Sequence, residues 1–475
     1  MAGSGNTKGI EVVPSAKRLI KSLRDMGYDF VQAVADLIDN SIEAGAHTVW
    51  INAEFEGDDS WVSVSDDGHG MTPDRLREAM RYGTERDYEL EDLGKFGLGL
   101  KVASLSQCER LTVASRVGSE RARVTAYTWD LDHIEKTNRW EILQVDTESL
   151  PKAIQGRLGR TTGTIVLWQR LERILGCKHP YGEVAKKRFA EMSRDLERHL
   201  AMVFHRFLAG EVRGKKLRIF INDENEVAPW DPFCRTEKNT KKLKPSRFLL
   251  EDDGVSGEVY LQPYILPSQV GFSSSDAFKL ASGPANWNQQ QGIYIYRANR
   301  LIQGGGWCHF RAPDEHTKLA RIALDFSRDL DEAFKLNVAK MRVILPSQIR
   351  SDVDDVIGPV VKMARQVYDK GERKKETEPP TATQPPAGTF TPASREAHAE
   401  GPMPNAGLPA SPAAPVAASP AGDPQVGEEL LSFEQWSDRV LAASAPAERP
   451  ILSRIIDRIR GLLAPAPAKK GEATT

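Results

Sequence analysis

Paired cysteines and long apolar runs are both missing from this chain. Its 475 residues contain four cysteines, and none of them forms a CxxC pair. This argues against a disulfide framework or a zinc module and is typical of a reducing compartment. No stretch approaches the ~18 apolar residues of a membrane helix, and the N-terminus has no apolar signal segment. We therefore expect a soluble, cytoplasmic protein without membrane contacts.

An excess of charge of either sign is missing as well. Lys and Arg number 64 and Asp and Glu number 66, which leaves a net charge of -2. No global basic field therefore attracts nucleic acid, and any such contact must come from a local patch. Two local basic runs stand out, Lys238–Lys244 with Arg247, and Arg373–Lys375.

Composition changes sharply near residue 371, and this change sets the domain organisation. Before it, periodic apolar segments indicate two blocks that mix helices and strands, an α+β class of fold. After it, Pro and Ala dominate, and too few large apolar side chains remain to offset the entropy of ordering. We divide the chain into an N-terminal arm (1–14), a first block (15–178), a second block (179–370), a disordered linker (371–427), C-terminal amphipathic helices (428–464) and a disordered tail (465–475).

The first polar motif lies on a helix predicted from Asp29 to Glu43. Asp36 and Asn40 stand one turn apart on its polar face. A carboxylate and a carboxamide at this spacing can hold Mg²⁺ and orient a water molecule, because magnesium prefers oxygen ligands and keeps several waters. An ordinary amphipathic helix with a solvated acidic face would show the same pattern.

Three further motifs are each weak alone. The segment Asp66-Asp-Gly-His-Gly-Met71 follows a predicted strand that ends in Asp66. Asp66 can accept a hydrogen bond from an adenine amine, and Gly68 and Gly70 allow the backbone to approach the base closely. An ordinary tight turn after a strand would have the same sequence pattern. The glycine run of residues 94–99 precedes a helix, whose N-terminal amides can bind phosphate. It is neither a Walker loop nor a Rossmann fingerprint. Thr164 opens a strand and can bond the base side of the pocket.

In this order, the four motifs resemble those of the GHKL ATPases, the superfamily of gyrase B, the ninety-kilodalton heat-shock chaperones, histidine kinases and MutL. The resemblance covers roughly residues 15–170. The amino-acid sequences of residues 82–84, 93–101 and 293–302 are most similar to those of the MORC-like branch. The resemblance implies a Bergerat-type ATP-binding α/β sandwich over 15–178 and a ribosomal-protein-S5-like α/β transducer domain over 179–370.

Carried over by motif, the resemblance implies ATP and Mg²⁺ as cofactors. Asp36 would be the general base, Asn40 would ligate the metal and Asp66 would read adenine. The other residues placed around the nucleotide are Gly68, Gly70, Met71, Gly94, Lys95, Gly97, Gly99, Lys101 and Thr164. In the second block, Lys340 follows an Asn-Val strand and would reach the γ-phosphate.

The general base departs from the family pattern. The family usually has glutamate, and this chain has Asp36. Aspartate is shorter by one carbon–carbon bond, about 1.5 Å. A displacement of that size can cost on the order of a hundredfold in rate, so slow hydrolysis is expected.

The resemblance also implies a nucleotide-gated clamp. Relatives of this kind dimerise on binding ATP, often by exchanging N-terminal arms, and the MORC-like branch acts on DNA or chromatin, with bacterial members in phage-defence clusters. We therefore expect an ATPase that forms a homodimer with ATP, contacts DNA, and binds a protein partner through residues 428–464. The alternative is a non-hydrolysing ATP-sensing scaffold or chaperone-like module that recruits its partner through the same helices.

Overall fold

A computed structural model of the chain describes residues 12–25, 28–82, 99–118, 123–158, 162–175, 179–252, 254–336 and 343–377. The predictions that fall outside the described residues concern Gly94, Lys95, Gly97, Lys340, the N-terminal arm before Val12, the linker beyond Thr377, the C-terminal helices and the tail. Within the described residues, the predicted α+β class is confirmed.

The helices of the described residues are α1 (Ala16–Arg24), α2 (Phe30–Glu43), α3 (Pro73–Met80), α4 (Gly99–Leu105), α5 (Leu131–Thr137), α6 (Lys152–Leu158), α7 (Glu172–Leu175), α8 (Glu183–Val203), α9 (His205–Leu208), α10 (Ser275–Ala281), α11 (Trp287–Gln290) and α12 (Arg350–Thr377). The helix α12 continues past residue 371, where the linker is predicted to begin.

The strands are β1 (Thr48–Glu54), β2 (Trp61–Asp66), β3 (Arg110–Arg116), β4 (Thr125–Asp130), β5 (Leu143–Gln144), β6 (Gly163–Gln169), β7 (Arg218–Ile221), β8 (Asn225–Glu226), β9 (Lys241–Lys242), β10 (Ser246–Asp252), β11 (Val255–Ile265), β12 (Gly292–Arg297), β13 (Arg300–Gln303) and β14 (Ala320–Phe326).

The first sheet has eight strands in the order β5-β4-β3-β6-β2-β1-β7-β8. Its pairs are antiparallel, except that β1 and β7 run parallel. Because β7 pairs with β1, the sheet takes in residues 218–226, which lie beyond the domain boundary predicted at residue 178. This pairing joins strands that are far apart in the chain and leaves no local periodic signal.

Helices cover one face of the first sheet and make its main core. Val34 and Ile38 of α2 and Val102 of α4 are buried there against Val64 and Trp168 of the sheet. On the other face a smaller cluster packs Ile154 of α6 on strand residues, namely Trp61, Ala114, Ile165 and Leu167. The strand β2 is covered on both faces and therefore holds its final residue, Asp66, in a fixed place.

The second sheet has the order β10-β11-β14-β12-β13, with β9 paired to β11. The helix α12 covers it with an apolar stripe that follows helical spacing: Val353, Ile357, Val360 and Ala364 are all buried. The helix α8 packs on α2 of the first block and also on β13 of the second sheet. It therefore connects the two blocks.

Candidate functional site

The helix α2 holds the first group of candidate residues. Asp29 caps its N-terminus by accepting a hydrogen bond from the Gln32 amide at 2.9 Å. Asp36 is only 3 % exposed, and the Tyr28 hydroxyl donates to its Oδ2 at 3.2 Å. Asn40, one turn further along, is exposed. The acidic face is therefore not a solvated surface, because its carboxylate at 36 is enclosed while its amide at 40 stays open.

Gly99, the last glycine of the run, lies directly against Asp36. A Cβ atom built on Gly99 would stand 2.6 Å from Oδ2 of Asp36. Any side chain at position 99 would therefore displace the carboxylate. The structure brings together the end of the glycine run and the predicted base, from motifs that are far apart in the chain.

Asp66 is anchored through both carboxylate oxygens. Ser41 Oγ donates to Oδ2 at 3.1 Å, and the amides of Gly68 and Thr164 donate to Oδ1 at 2.9 and 3.3 Å. Burial raises the pKa of this carboxyl above its usual value, and the three hydrogen bonds act in the opposite direction. Because Ser41 follows Asn40 on α2, the helix with the amide and the strand with the aspartate are held in one fixed relation.

The glycines around Asp66 are required by backbone packing. Gly70 has φ +66°, and a Cβ atom on it would stand 1.9 Å from the Arg116 carbonyl oxygen. A Cβ atom on Gly68 would stand 2.8 Å from the Ala44 carbonyl oxygen. No L-residue with a side chain fits either position without moving the main chain. These glycines therefore shape the pocket wall whether or not a ligand is bound.

Ser115 is a site residue that the sequence motifs do not reveal. Its hydroxyl accepts from the Met71 amide at 2.8 Å and lies 2.9 Å from Thr164 Oγ1. It therefore fixes two predicted site residues at once. Ser115 stands in the ordinary strand β3, and only the register that pairs it with Thr164 on β6 would have pointed to it.

Lys101 lies deep in the helical layer. It is 2 % exposed, and its ammonium donates to the Ala79 carbonyl oxygen at the end of α3 at 3.0 Å. Burial lowers its pKa to about 8. The predicted role of this lysine beside the phosphates stays a prediction.

The donor set fits magnesium held mainly by a ligand and by water. Across the described part of the chain, no group of three or more His, Cys, Asp or Glu side chains could hold a metal ion. The oxygens that α2 offers are the amide of Asn40 and the nearby carboxylate of Asp36. Mg²⁺ is commonly bound through one or two protein oxygens together with waters and phosphate oxygens, which matches so small a set.

None of the helices that the structure describes is long and apolar enough to cross a membrane.

Comparison with known proteins agrees with this geometry. Residues 28–164 match the model of the histidine kinase-, DNA gyrase B- and HSP90-like ATPase family. The chain is also similar to DNA mismatch repair protein MutL of Shewanella sp. (strain MR-4), with 33% identity over 104 residues, which is 21% of this chain and 16% of the relative. MutL of Halobacterium salinarum (strain ATCC 29341 / DSM 671 / R1) is 36% identical over 100 residues, 19% of this chain and 15% of the relative.

The similarity is confined to a small part of each protein. The chain spans about a sixth of the length of these MutL proteins, so their complete architecture is not carried over. The family match begins at Tyr28, which bonds Asp36, and ends at Thr164, whose amide bonds Asp66. The matched segment therefore contains the whole cluster described above. Residues 28–164 are therefore similar to the ATPase domains of this family, and part of the chain is similar to MutL.

Proposed function

We propose that this chain binds Mg·ATP, hydrolyses it slowly, and acts as a MORC-like, nucleotide-gated dimeric clamp in a process that involves DNA. The observation that carries the proposal is the meeting of three motifs on α2. Asp36 lies against Gly99, Asn40 is open to solvent one turn away, and Ser41 bonds Asp66. A surface helix has no physical need to combine a buried carboxylate, an exposed amide and a glycine contact.

Each residue has a definite task in this proposal. The Asn40 amide oxygen would hold magnesium, which supplies positive charge to the phosphates when it is bound. Asp66 keeps carboxylate oxygens at the end of β2, where they would accept from the exocyclic amine of adenine. The Thr164 hydroxyl, fixed by Ser115, would lie on the base side. Lys340, outside the described residues, is proposed to contact the γ-phosphate.

Asp36 would take the proton from the attacking water. Its Oδ2 accepts from Tyr28, which fixes the rotamer of the carboxylate. A proton taken from water would then reside on a carboxylate oxygen of Asp36 until it exchanges with solvent. The side chain is about 1.5 Å shorter than that of glutamate. Either the helix must lie closer to the attacking water, or a second water must relay the proton to Asp36. Slow turnover is the expected consequence.

Phosphate release and calorimetry test the enzyme proposal. Wild type with ATP and Mg²⁺ is expected to release phosphate above background, while Asp36→Ala reduces the rate by on the order of a hundredfold or more. Asn40→Ala is expected to abolish nucleotide binding. Asp58→Ala, at an exposed carboxylate, is the matched control and should change neither quantity. Phosphate release at the background rate in both wild type and Asp36→Ala, with nucleotide still bound, would instead favour the non-hydrolysing scaffold.

The proposed DNA contact is supported by two observations. The relatives are named DNA mismatch repair proteins. In addition, Lys238, Lys241, Lys242 and Lys244 are all exposed in the second block. Such lysines can neutralise phosphates and release counterions. A gel shift with and without a non-hydrolysable ATP analogue tests the contact, and sedimentation with the same analogue tests dimerisation. A monomer at saturating analogue would end the clamp proposal. A role in phage defence and a protein partner for residues 428–464 are further parts of the proposal.

A further inference from the structure

A buried ion pair joins the nucleotide helix to the second sheet. Asp39 lies on α2, between Asp36 and Asn40 in the chain. Its side chain is 0 % exposed, and the side chain of Arg300 on β13 is 5 % exposed. The Nε atom of Arg300 donates to the Asp39 carboxylate at 2.9 Å, across 261 positions of the chain. The pair therefore connects the proposed site directly to a distant part of the sequence.

The hairpin of β12 and β13 presents Arg300 on a rigid tip. Its two turn residues, Ala298 and Asn299, have φ +47° and +68°. Positive φ at both positions is typical of the tight turns that match strand twist. Ala298 packs on the core of the first block, and Arg206 donates to the Asn299 side chain at 3.3 Å. The tip is thus fixed from both sides, and so is the position from which Arg300 reaches α2.

The helix α8 closes the surroundings of this pair. The Arg300 guanidinium lies 5.8 Å from the ring centre of Phe204, which is fully buried at the end of α8. Burial, together with the positive charge of Arg300, lowers the pKa of His199 to about 4. Among the described residues, the Asp39 carboxylate is in direct contact with this guanidinium. The contact lies in a buried setting formed in part by α8.

Such a pair is a poor device for stability alone. Burying two charges costs about as much as their attraction returns, and apolar replacements of both partners are often neutral or stabilising. The best-attested use of buried charges is to select one register between packed elements. Here the register that is selected is that of α2, with Asp36 and Asn40, relative to the hairpin of the second sheet.

We infer that Arg300 is a positioning residue for the nucleotide site, which couples nucleotide binding on α2 to the placement of the β12–β13 hairpin. This inference rests on the proposed function. Because coupling is reciprocal, ATP must then stabilise the hairpin by the same factor by which the fixed hairpin improves ATP affinity. Couplings of this kind amount to about 5- to 150-fold in affinity.

The test replaces both partners together, so that neither charge of this pair is left without the other. Asp39→Leu with Arg300→Met is expected to fold and to bind ATP about 5- to 150-fold more weakly than wild type. The matched control is Arg157→Met with Asp223→Leu, which removes a partly buried pair, at 22 % and 53 % exposure, from residues outside the hairpin. The control is expected to keep wild-type nucleotide affinity within about twofold. Equal affinity of the Asp39 and Arg300 double variant and wild type would overturn the inference.

A second measurement holds even where the double variant fails to fold. In wild type, ATP is expected to slow amide hydrogen exchange across residues 292–303, and Arg300→Lys, which keeps the charge but loses the planar donor fork, should weaken that protection. Unchanged exchange of the hairpin on binding ATP would reject the coupling. Failure of the proposed function looks different, because wild type would then bind no nucleotide at all.

Discussion

The two blocks bury polar groups for different purposes. In the first block, Asp36 and Asp66 are each met on one side by glycine backbone, at Gly99 and Gly68. In the second block, the buried arginines are enclosed by other side chains and carbonyl groups. Polar groups beside glycine backbone leave room for a ligand, whereas the enclosed arginines are surrounded by groups of the fold itself. This difference is why the function is assigned to the first block.

Arg321 is the clearest case of an enclosed group. It is 0 % exposed, and it donates to the carbonyl oxygens of Pro232 and Ala281 at 2.8 and 2.9 Å. The ring centres of Trp287 and Tyr294 lie 5.4 and 5.8 Å from its guanidinium carbon. A charge that is solvated by carbonyls and rings in this way tolerates burial. It ties the chain at Pro232 and the end of α10 to the second sheet, and it has no exposed surface for a ligand.

The largest effect is expected from breaking an enclosed pair in the second block. Arg297 donates to the Asp331 carboxylate through two bonds, of 2.6 and 2.7 Å. Arg297→Met leaves Asp331 buried and uncompensated and is expected to cost about 3–5 kcal/mol in the free energy of unfolding. Urea denaturation measures it. Arg247→Met removes an exposed pair with Glu258 and should cost less than about 1 kcal/mol. Similar costs for the two variants would show that the second block does not depend on its enclosed charges.

The next largest effect is expected at a pocket glycine. Gly70→Ala combines positive φ with a backbone overlap at 1.9 Å, and a loss of about 2–4 kcal/mol is expected together with weaker nucleotide binding. Gly45→Ala is the matched control. Gly45 has φ +71°, but a Cβ atom there meets nothing within 4 Å, so only about 1 kcal/mol of conformational strain is expected. Unfolding and calorimetry on both variants separate the overlap from the strain. Equal losses would mean that the end of β3 at Arg116 moves aside freely.

The elements around the motifs could be predicted from the sequence. The helix predicted from Asp29 to Glu43 is observed as Phe30–Glu43, and the strand predicted to end at Asp66 is observed as Trp61–Asp66. Both segments have a strong periodic pattern of apolar residues and a cap or turn signal at their ends. Such local signals determine secondary structure without reference to the rest of the chain. The short elements α5, α6 and β5 carry too few residues to show a period.

Contacts between distant parts of the chain could not be predicted in the same way. The parallel pairing of β7 with β1, the bond of Ser115 to Thr164 and the ion pair of Asp39 with Arg300 each join residues without a shared pattern. On the sequence, Asp39 looks like one more charge on a solvated face. Its burial follows from α8 and the hairpin, which come from elsewhere in the chain.

A smaller effect is expected from pH, through His205. This histidine is 0 % exposed, with its Nε2 atom 2.8 Å from the Tyr296 hydroxyl, and burial together with nearby Arg206 and Arg235 lowers its pKa to about 3. The unfolded chain binds a proton near pH 6.5 and the folded chain does not, so stability falls as the pH drops below 6.5. At pH 5 the loss approaches about 2 kcal/mol.

Replacing this histidine separates its contribution from that of the carboxylates. His205→Phe should flatten the fall in unfolding free energy between pH 6.5 and 5, whereas His47→Phe, at an exposed position, should leave it unchanged. The readout is urea denaturation at several pH values in that window. An unaltered slope in His205→Phe would show that the folded protein admits the proton.

The smallest effect on stability is expected at Lys101, where replacement of the side chain should stabilise the protein. The pKa of this buried ammonium is lowered to about 8, so its charged form is disfavoured in the folded state, and stability should rise as the pH increases from 8 to the unfolded value near 10.5. Lys101→Met removes this desolvation cost but also the bond to the Ala79 carbonyl. We expect a net gain of about 1 kcal/mol at pH 7.

Lys101 tests the comparison between buried groups that serve a ligand and buried groups that serve the fold. Its buried charge lowers the stability of the protein, so stability does not explain the presence of this lysine. If its charge serves the phosphates, Lys101→Met should be more stable and yet bind ATP on the order of tenfold more weakly. Lys186→Met, at an exposed position on α8, is the control and should change neither quantity. Denaturation and calorimetry on the same preparations decide the matter. A stabilised variant with unchanged affinity would place Lys101 with the enclosed charges of the second block, as a group used by the fold alone.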